Sequence, residues 1–383
     1  EEIYFPFILE TDEFGNQVQF RNYAIFQGEL EQYLENEGFD NSFEAIFPSI
    51  FEVTKLSTGN YFAIGMFFAP KLWQSFTLNF HVTFYALLDP KLALLKWGYF
   101  NDTDLEAIGW DGIGWPNWRG FLTINKQRTI HETALGTILY LMDASNMANG
   151  TQCYSVYKFS LSAEMLDVWN YCPDSVESDI WGYRGSGWTP DDQGNMVSAV
   201  RRWYLPGDGM EDPDITLQVF KQNDGKLLKT VNYGQGQWGF PWNILPIDDG
   251  YVIQHFSSES LQLGKQGDRE TWGALLFVNH DLDSIRNVHV TTANFCQSGG
   301  PFIKTRDGGF VAAFLKNNNN NADGILIKTD SQGNPLWQYE EPGRAIVNIV
   351  EMDDGGIAFV TRREFNEVGN RITLVKLTAD GKL

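Results

Sequence analysis

Residues 301–340, PFIKTRDGGFVAAFLKNNNNNADGILIKTDSQGNPLWQYE, decide the fold. The pattern predicts four short strands. Phe302 to Lys304 and Phe310 to Phe314 flank Asp307-Gly308-Gly309, and Gly324 to Lys328 and Pro335 to Gln338 flank Asp330 to Asn334. Asp, Asn and Gly tolerate the positive φ that tight hairpins require. The apolar runs between them are β-branched or aromatic and short, which favours strands over helices. The Asn317 to Asn321 run is expected to be a loop between the second and third strands. One such unit cannot bury both its faces and requires copies beside it.

Working outward, two landmarks recur in fixed alternation. A Gly turn leading into an apolar strand occurs at Gly59, Gly136, Gly194, Gly250, Gly309 and Gly356, at intervals of 77, 58, 56, 59 and 47 residues. A strand–polar turn–strand unit begins at Phe7, Phe84, Val156, Leu217, Leu275, Ile325 and Thr373. Repeats of four strands at this length predict an all-β β-propeller. Six first-half landmarks give six blades of four antiparallel strands; counting the seven second-half hairpins gives seven as the alternative.

The segment DGGFVAAF…NADGILIKTDSQGNPLWQ resembles the degenerate propeller repeats of secreted and surface-attached bacterial proteins, common among lipoproteins of the Bacteroidetes type. The resemblance is good over 301–383, recognisable over 187–290 and weak before 180. It implies a propeller fold and an extracytoplasmic location more than any particular activity.

Residues 1–22 read as a hairpin around Asp12 to Gly15, the outer half of a repeat with no inner half before it. The last repeat stops just after its Asp380-Gly381 turn. Pairing of an N-terminal strand into the final blade is therefore expected, because it removes an exposed sheet edge. Residues 23–46 are acidic, and Leu30, Tyr33 and Leu34 stand at helical spacing, which predicts a short surface helix. Full repeats are expected at 47–100, 119–171 with an insertion around Arg128 to Thr133, 181–233 and 238–290, with two more to the end. No Pro- or Ser-rich run separates two parts, so 1–383 reads as one domain.

The chain has 383 residues, 43% of them hydrophobic, and a formal charge of −21. That charge repels nucleic-acid backbones and anionic membrane surfaces. No apolar run is long enough for a transmembrane helix. The first residue is Glu1, not Met, which fits prior removal of a targeting segment, and position 1 carries no lipid-attachment Cys. The expected location is extracytoplasmic, at the cell surface or in the periplasm. Cys153 and Cys172 are centred on Ser162-Ala163, where alignment of the repeats puts a turn. They would face each other across two strands, as a disulfide or as two buried thiols. Cys296 reads as a small buried residue.

Catalytic signatures are absent: no H-E-x-x-H, G-x-S-x-G, P-loop or paired cysteines at metal spacing. The G-x-G-x-x-G at Gly234 precedes a strand and lacks the helix a dinucleotide site uses. His255, in an inner-type strand, reads as a satisfied structural histidine. The Asp-rich segments Gly207 to Asp214 and Asp191-Asp192 lack the alternating ligands of a Ca²⁺ loop and read as solvated turns. No residue calls for a cofactor or a metal.

The candidate binding residues are aromatic. GWDGIGWPNW, IWGYRGSGW and GQWGFPW open repeats two, three and four. They carry Trp115, Trp118, Tyr183, Arg184, Trp188, Trp238 and Trp242, and Arg119 follows the first of them. In a propeller these links cross one face toward the channel. The rings there suit stacking on sugars or anchoring a protein partner, unless they fill gaps between blades. The expected function is a non-enzymatic binding propeller, an accessory subunit of an outer-membrane or surface assembly with a protein partner. The alternative is a glycan binder, or a glycosidase whose carboxylates come from different blades.

Overall fold

A computed structural model describes residues 7–11, 17–23, 47–73, 76–99, 130–145, 152–171, 180–191, 193–204, 215–233, 238–258, 271–283, 285–291, 296–318, 321–363 and 372–383. Every regular element among them is a strand. The chain is all-β, a β-propeller of six blades, and its contacts divide it into two units: Glu1–Ile124 with Thr129–Tyr171, and Asn125–Arg128 with Cys172–Leu383.

The first unit opens with a hairpin, β1 (Phe7–Thr11) and β2 (Gln17–Asn22), which forms a two-stranded sheet of its own. Blade one follows as β3 (Phe47–Lys55), β4 (Tyr61–Trp73), β5 (Phe76–Leu88) and β6 (Leu94–Tyr99) in that spatial order. Blade two pairs β7 (Ile130–Glu132) with β8 (Thr137–Ser145), β8 with β9 (Gln152–Ser160), and β9 with β10 (Met165–Tyr171). The residues expected to be an insertion thus include the blade's first strand. Ile130 is buried, and its N–H donates to the Glu52 carboxylate at 3.0 Å. The core of this unit stacks Phe62, Tyr85 and Phe159 with Tyr140 and Tyr157.

The second unit holds four blades. Blade three is β11 (Ile180–Pro190), β12 (Met196–Tyr204), β13 (Ile215–Phe220) and β14 (Leu227–Tyr233). Blade four is β15 (Trp238–Ile247), β16 (Gly250–Ser258), β17 (Thr271–Asn279) and β18 (Ile285–His289). Blade five is β19 (Cys296–Lys304), β20 (Phe310–Asn318), β21 (Asn321–Thr329) and β22 (Pro335–Glu341). Blade six shows three strands among the described residues, β23 (Arg344–Glu351), β24 (Ile357–Arg363) and β25 (Ile372–Leu377). The expected N-terminal strand in this last sheet is not among the described pairings, since β1 and β2 pair with each other.

Position within the blade places the core. In β13, Ile215 to Gln218 are all buried, while β14 on the outer edge is largely exposed. The asparagine run departs from its expected loop: Asn317 and Asn318 end β20, Asn321 begins β21, and Asn318 stands opposite Asn321. A continuous partner strand overrides the weak strand propensity of Asn.

Two turns give each blade its shape. In blade five the Thr305 N–H bonds the Gly309 carbonyl at 2.9 Å, and the Gly308 N–H bonds the Thr305 carbonyl at 2.9 Å. Gly308 has φ +83°, whereas Gly309 is needed for space: a Cβ there would lie 2.2 Å from the Thr329 carbonyl oxygen. The repeat's two glycines therefore have different duties, and blade six repeats them at Gly355 and Gly356. In every blade but the third, the third-to-fourth-strand turn is led by an Asp, Asn, Ser or Thr whose side chain accepts backbone N–H groups; blade three's is led by Lys221. Asp330 takes those of Gln332 and Asn334, both at 2.8 Å, and Asp89 takes those of Lys91 and Ala93. These side chains hold even Leu92, Ala163 and Leu282 at φ 57–59°.

The β9–β10 turn falls at Ser160 to Ala163, as expected. Its register sets Tyr154 opposite Tyr171, the pair next in sequence to 153 and 172. The Cys153 side chain and all of Cys172 lie outside the described residues. We expect a cross-strand disulfide, so that thiol alkylation of the unfolded, unreduced protein labels one cysteine of three. Reduction should then cost about 3 kcal/mol of stability. Labelling of all three before reduction contradicts the pairing.

Candidate functional site

In an antiparallel blade, the first–second and third–fourth turns lie at one end, and the second–third connection and the links to neighbouring blades lie at the other. The two ends differ in chemistry.

The turn end is assembled from the repeat motif itself. Lys328, 6% exposed, donates to Asp307 Oδ1 at 2.7 Å and to Thr305 Oγ1 at 2.6 Å. Burial alone would raise the Asp307 carboxyl. Hydrogen bonds from Lys328, Thr305 and the Gly309 N–H, with the lysine's charge, outweigh it and hold the group at about 2. Lys376 meets Asp354 at 2.9 Å in blade six. The motif's Lys and Asp thus lock blades five and six internally. Because Asp307 is depressed when folded, its stabilisation is complete above the ordinary carboxylate range and is lost as pH falls through about 2. Lys328→Met should therefore flatten the fall in melting temperature of the second unit between about pH 4 and pH 2; an unchanged slope refutes the pairing.

Successive blades are pinned at the same end. Four residues after a positive-φ turn residue, the fourth strand sends a side chain to a turn carbonyl of the next blade. Lys229 reaches Asp281, Arg286 reaches Gln332, and Trp337 Nε1 reaches Ala379 at 3.0 Å. Gln19 of β2 reaches the Pro90 carbonyl at 3.2 Å. Tyr23 Oη donates to the Leu92 carbonyl at 3.0 Å, as Tyr233 Oη does to Leu282 at 2.8 Å. The β1–β2 hairpin therefore docks on blade one as β13–β14 docks on blade four, which supports its reading as the outer half of a repeat. First-strand ends add a second pin. Glu132 accepts the Ser57 N–H at 2.7 Å, Glu351 accepts the Arg306 N–H at 2.8 Å, and Lys304 meets Asp248 at 3.0 Å.

Of the described sequence-derived candidates, Tyr183, Arg184 and Trp238 stand toward the opposite end, Trp242 is mid-strand and Trp188 lies near the Asp191 turn. Trp115, Trp118 and Arg119 lie outside the described residues. Tyr183 and Arg184 sit in β11 opposite Arg202 and Arg201, and Trp238 opens β15 opposite Ser258; the side chains of Tyr183, Arg184 and Trp238 are outside the description. Trp188 is 3% exposed and belongs to the core, so it presents no ring to a ligand. Trp242, at a bulge of β15, lies over Gly299 of blade five, where a Cβ would come within 2.5 Å of the indole. Its Nε1 is buried without a hydrogen-bond partner. A Cβ at Gly187 would stand 3.5 Å from Asn243 Cα of β15, an ordinary contact distance, so this position faces the next blade.

Below these rings runs a buried polar chain. Asn243 donates to Gln254 at 2.9 Å and to the Gly300 carbonyl at 2.8 Å, and Gln254 donates to the Ala313 carbonyl at 2.6 Å. His255 is 3% exposed and meets Asn287 at 2.9 Å, the structural role expected for it. Asp191 spends one oxygen on the N–H groups of Gln193 and Asn195 and the other on the Asn195 amide, which makes it a turn cap. Among the described residues no group of three or more His, Cys, Asp or Glu could hold a metal ion. None of their helices is long and apolar enough to cross a membrane.

No family model matches the chain, and comparison with curated proteins gives no match. Solved structures do share its fold. An ulvan lyase described as a new family of polysaccharide lyase superposes with TM-score 0.52 at 10% identity, over 89% of this chain and 80% of that one. A protein of unknown function from Dyadobacter fermentans gives TM-score 0.49 at 10% identity, over 88% of this chain and 96% of that one. At such identity the likeness is one of fold.

Proposed function

We propose that the protein is a non-enzymatic binding propeller, an accessory subunit of an exported assembly at the outer membrane or cell surface, which recognises a protein partner through the connection end of its blades. One observation carries this reading: polar groups of the repeat motif are spent at the turn end in caps, locks and pins, while β11 and β15, which carry two of the ring-rich segments, begin at the other end. A rigid scaffold with variable connections at one end is the usual design of a recognition surface. The charge of −21 favours a partner that is not anionic. A second reading, glycan binding or cleavage, is favoured by the same rings and by a fold shared with a polysaccharide lyase.

Purification from the native source in mild detergent, followed by mass spectrometry, tests the proposal. A stoichiometric protein partner that is lost when Trp115 and Trp118 are both replaced by Ala supports it. Recovery of the protein alone, with binding or cleavage of glycans, replaces it with the second reading.

A further inference from the structure

A cavity of about 550 Å³ opens at the turn end between blades four and five, inside the range of small-molecule sites. Its origin lies in one pin. Between blades five and six the pinning residue is Trp337, whose ring packs against the Gly381 turn so closely that a Cβ there would come within 2.7 Å. Between blades four and five the equivalent residue is Arg286. Its guanidinium lies over Phe277 at 4.1 Å and spends Nη1 on the Gln332 carbonyl. The remaining guanidinium N–H groups have no partner among the described residues.

The walls combine donors and acceptors. Arg286 and Lys304 donate; Asp248 and Asp249 accept; Phe277 and Phe310 form the floor. Asp248 is already paired with Lys304, whereas Asp249 makes no hydrogen bond or ion pair among the described residues. Two cations and two carboxylates balance, so the cavity selects against neither sign of charge, and the chain's −21 adds no attraction for anions. A hydroxyl both donates and accepts, and so satisfies an Asp and an Arg or Lys together. We propose that this cavity binds a neutral saccharide unit, with hydroxyls shared between the Asp249 carboxylate and the free edge of the Arg286 guanidinium. The site is separate from the connection end and does not depend on the partner proposed for it.

Saturation-transfer NMR of the full chain with maltose, cellobiose and lactose tests this. Transfer to at least one sugar is expected. It should fall at least tenfold both in Asp249→Asn, which keeps the turn but removes the charged acceptor, and in Ser331→Trp, which fills the cavity from its rim. Neither side chain supports the core, and the near-ultraviolet spectrum of Asp249→Asn and the melting curve of each variant verify folding. Absence of transfer to all three sugars, or undiminished transfer in either variant, overturns the proposal.

Discussion

Gly309→Ala is expected to destabilise the second unit by about 3 kcal/mol or more, among the larger effects of single substitutions. The added methyl group would stand 2.2 Å from the Thr329 carbonyl oxygen and 2.7 Å from Lys328 Nζ. The lysine end is flexible, but the carbonyl belongs to β21 and is held in the sheet. Relief requires spreading β20 from β21 or breaking the Lys328–Asp307–Thr305 lock, and either exposes buried polar groups. Gly308→Ala is the control. Nothing crowds that position, where the nearest atom beyond its chain neighbours is Ser331 Cβ at 4.0 Å, so only the left-handed backbone resists, at about 1–2 kcal/mol. Urea unfolding of both variants measures the difference. Equal losses would mean that the second glycine of the motif serves no purpose of space.

Phe314→Ala should cost about 3–5 kcal/mol, the range for deleting a fully buried aromatic ring. The ring is 2% exposed and joins blades four and five, with Leu275 and Val252 on one side and Phe302 and Ile325 on the other. It also lies over Gly273, where a Cβ would come within 2.7 Å of its edge. The cavity left by Ala sits between two sheets that other pins hold apart, so collapse cannot fill it. Phe314→Leu retains more of the volume and should lose less than half as much. A loss under about 1 kcal/mol for Phe314→Ala would show that the sheets close over the gap.

Much of the scaffold was legible because its turns are local. A hairpin that needs positive φ beside an Asp or Asn writes itself into adjacent residues, and the Asp330 to Asn334 turn is formed as its sequence implies. Leu92 and Leu282 show the limit. Their turns use the same left-handed conformation, but the signal lies in Asp89 and Asn279, the capping side chains three residues earlier. The asparagine run misled because composition describes one strand while the ladder is decided by two. Trp188 and Trp242 illustrate the ambiguity of rings: a large aromatic suits a gap between blades as well as a ligand, and burial depends on the neighbouring blade. The cavity had no sequence signature, since Asp249, Arg286 and Lys304 come from three separated segments. The pinning rule that creates it, a side chain four residues beyond each left-handed turn, becomes visible only when the repeats are aligned on those turns.

In the proposed function the turn end is scaffold and the connection end recognises the partner. Chemical cross-linking of the native assembly, read by mass spectrometry at individual lysines, tests this most directly. In sequence Lys126 falls between β6 and β7 and Lys265 between β16 and β17, whereas Lys91, Lys226 and Lys382 lie in turns. Partner cross-links are expected at Lys126 and Lys265 and not at the turn lysines. Cross-links confined to Lys91, Lys226 and Lys382 would place the partner on the turn end and contradict the proposed function.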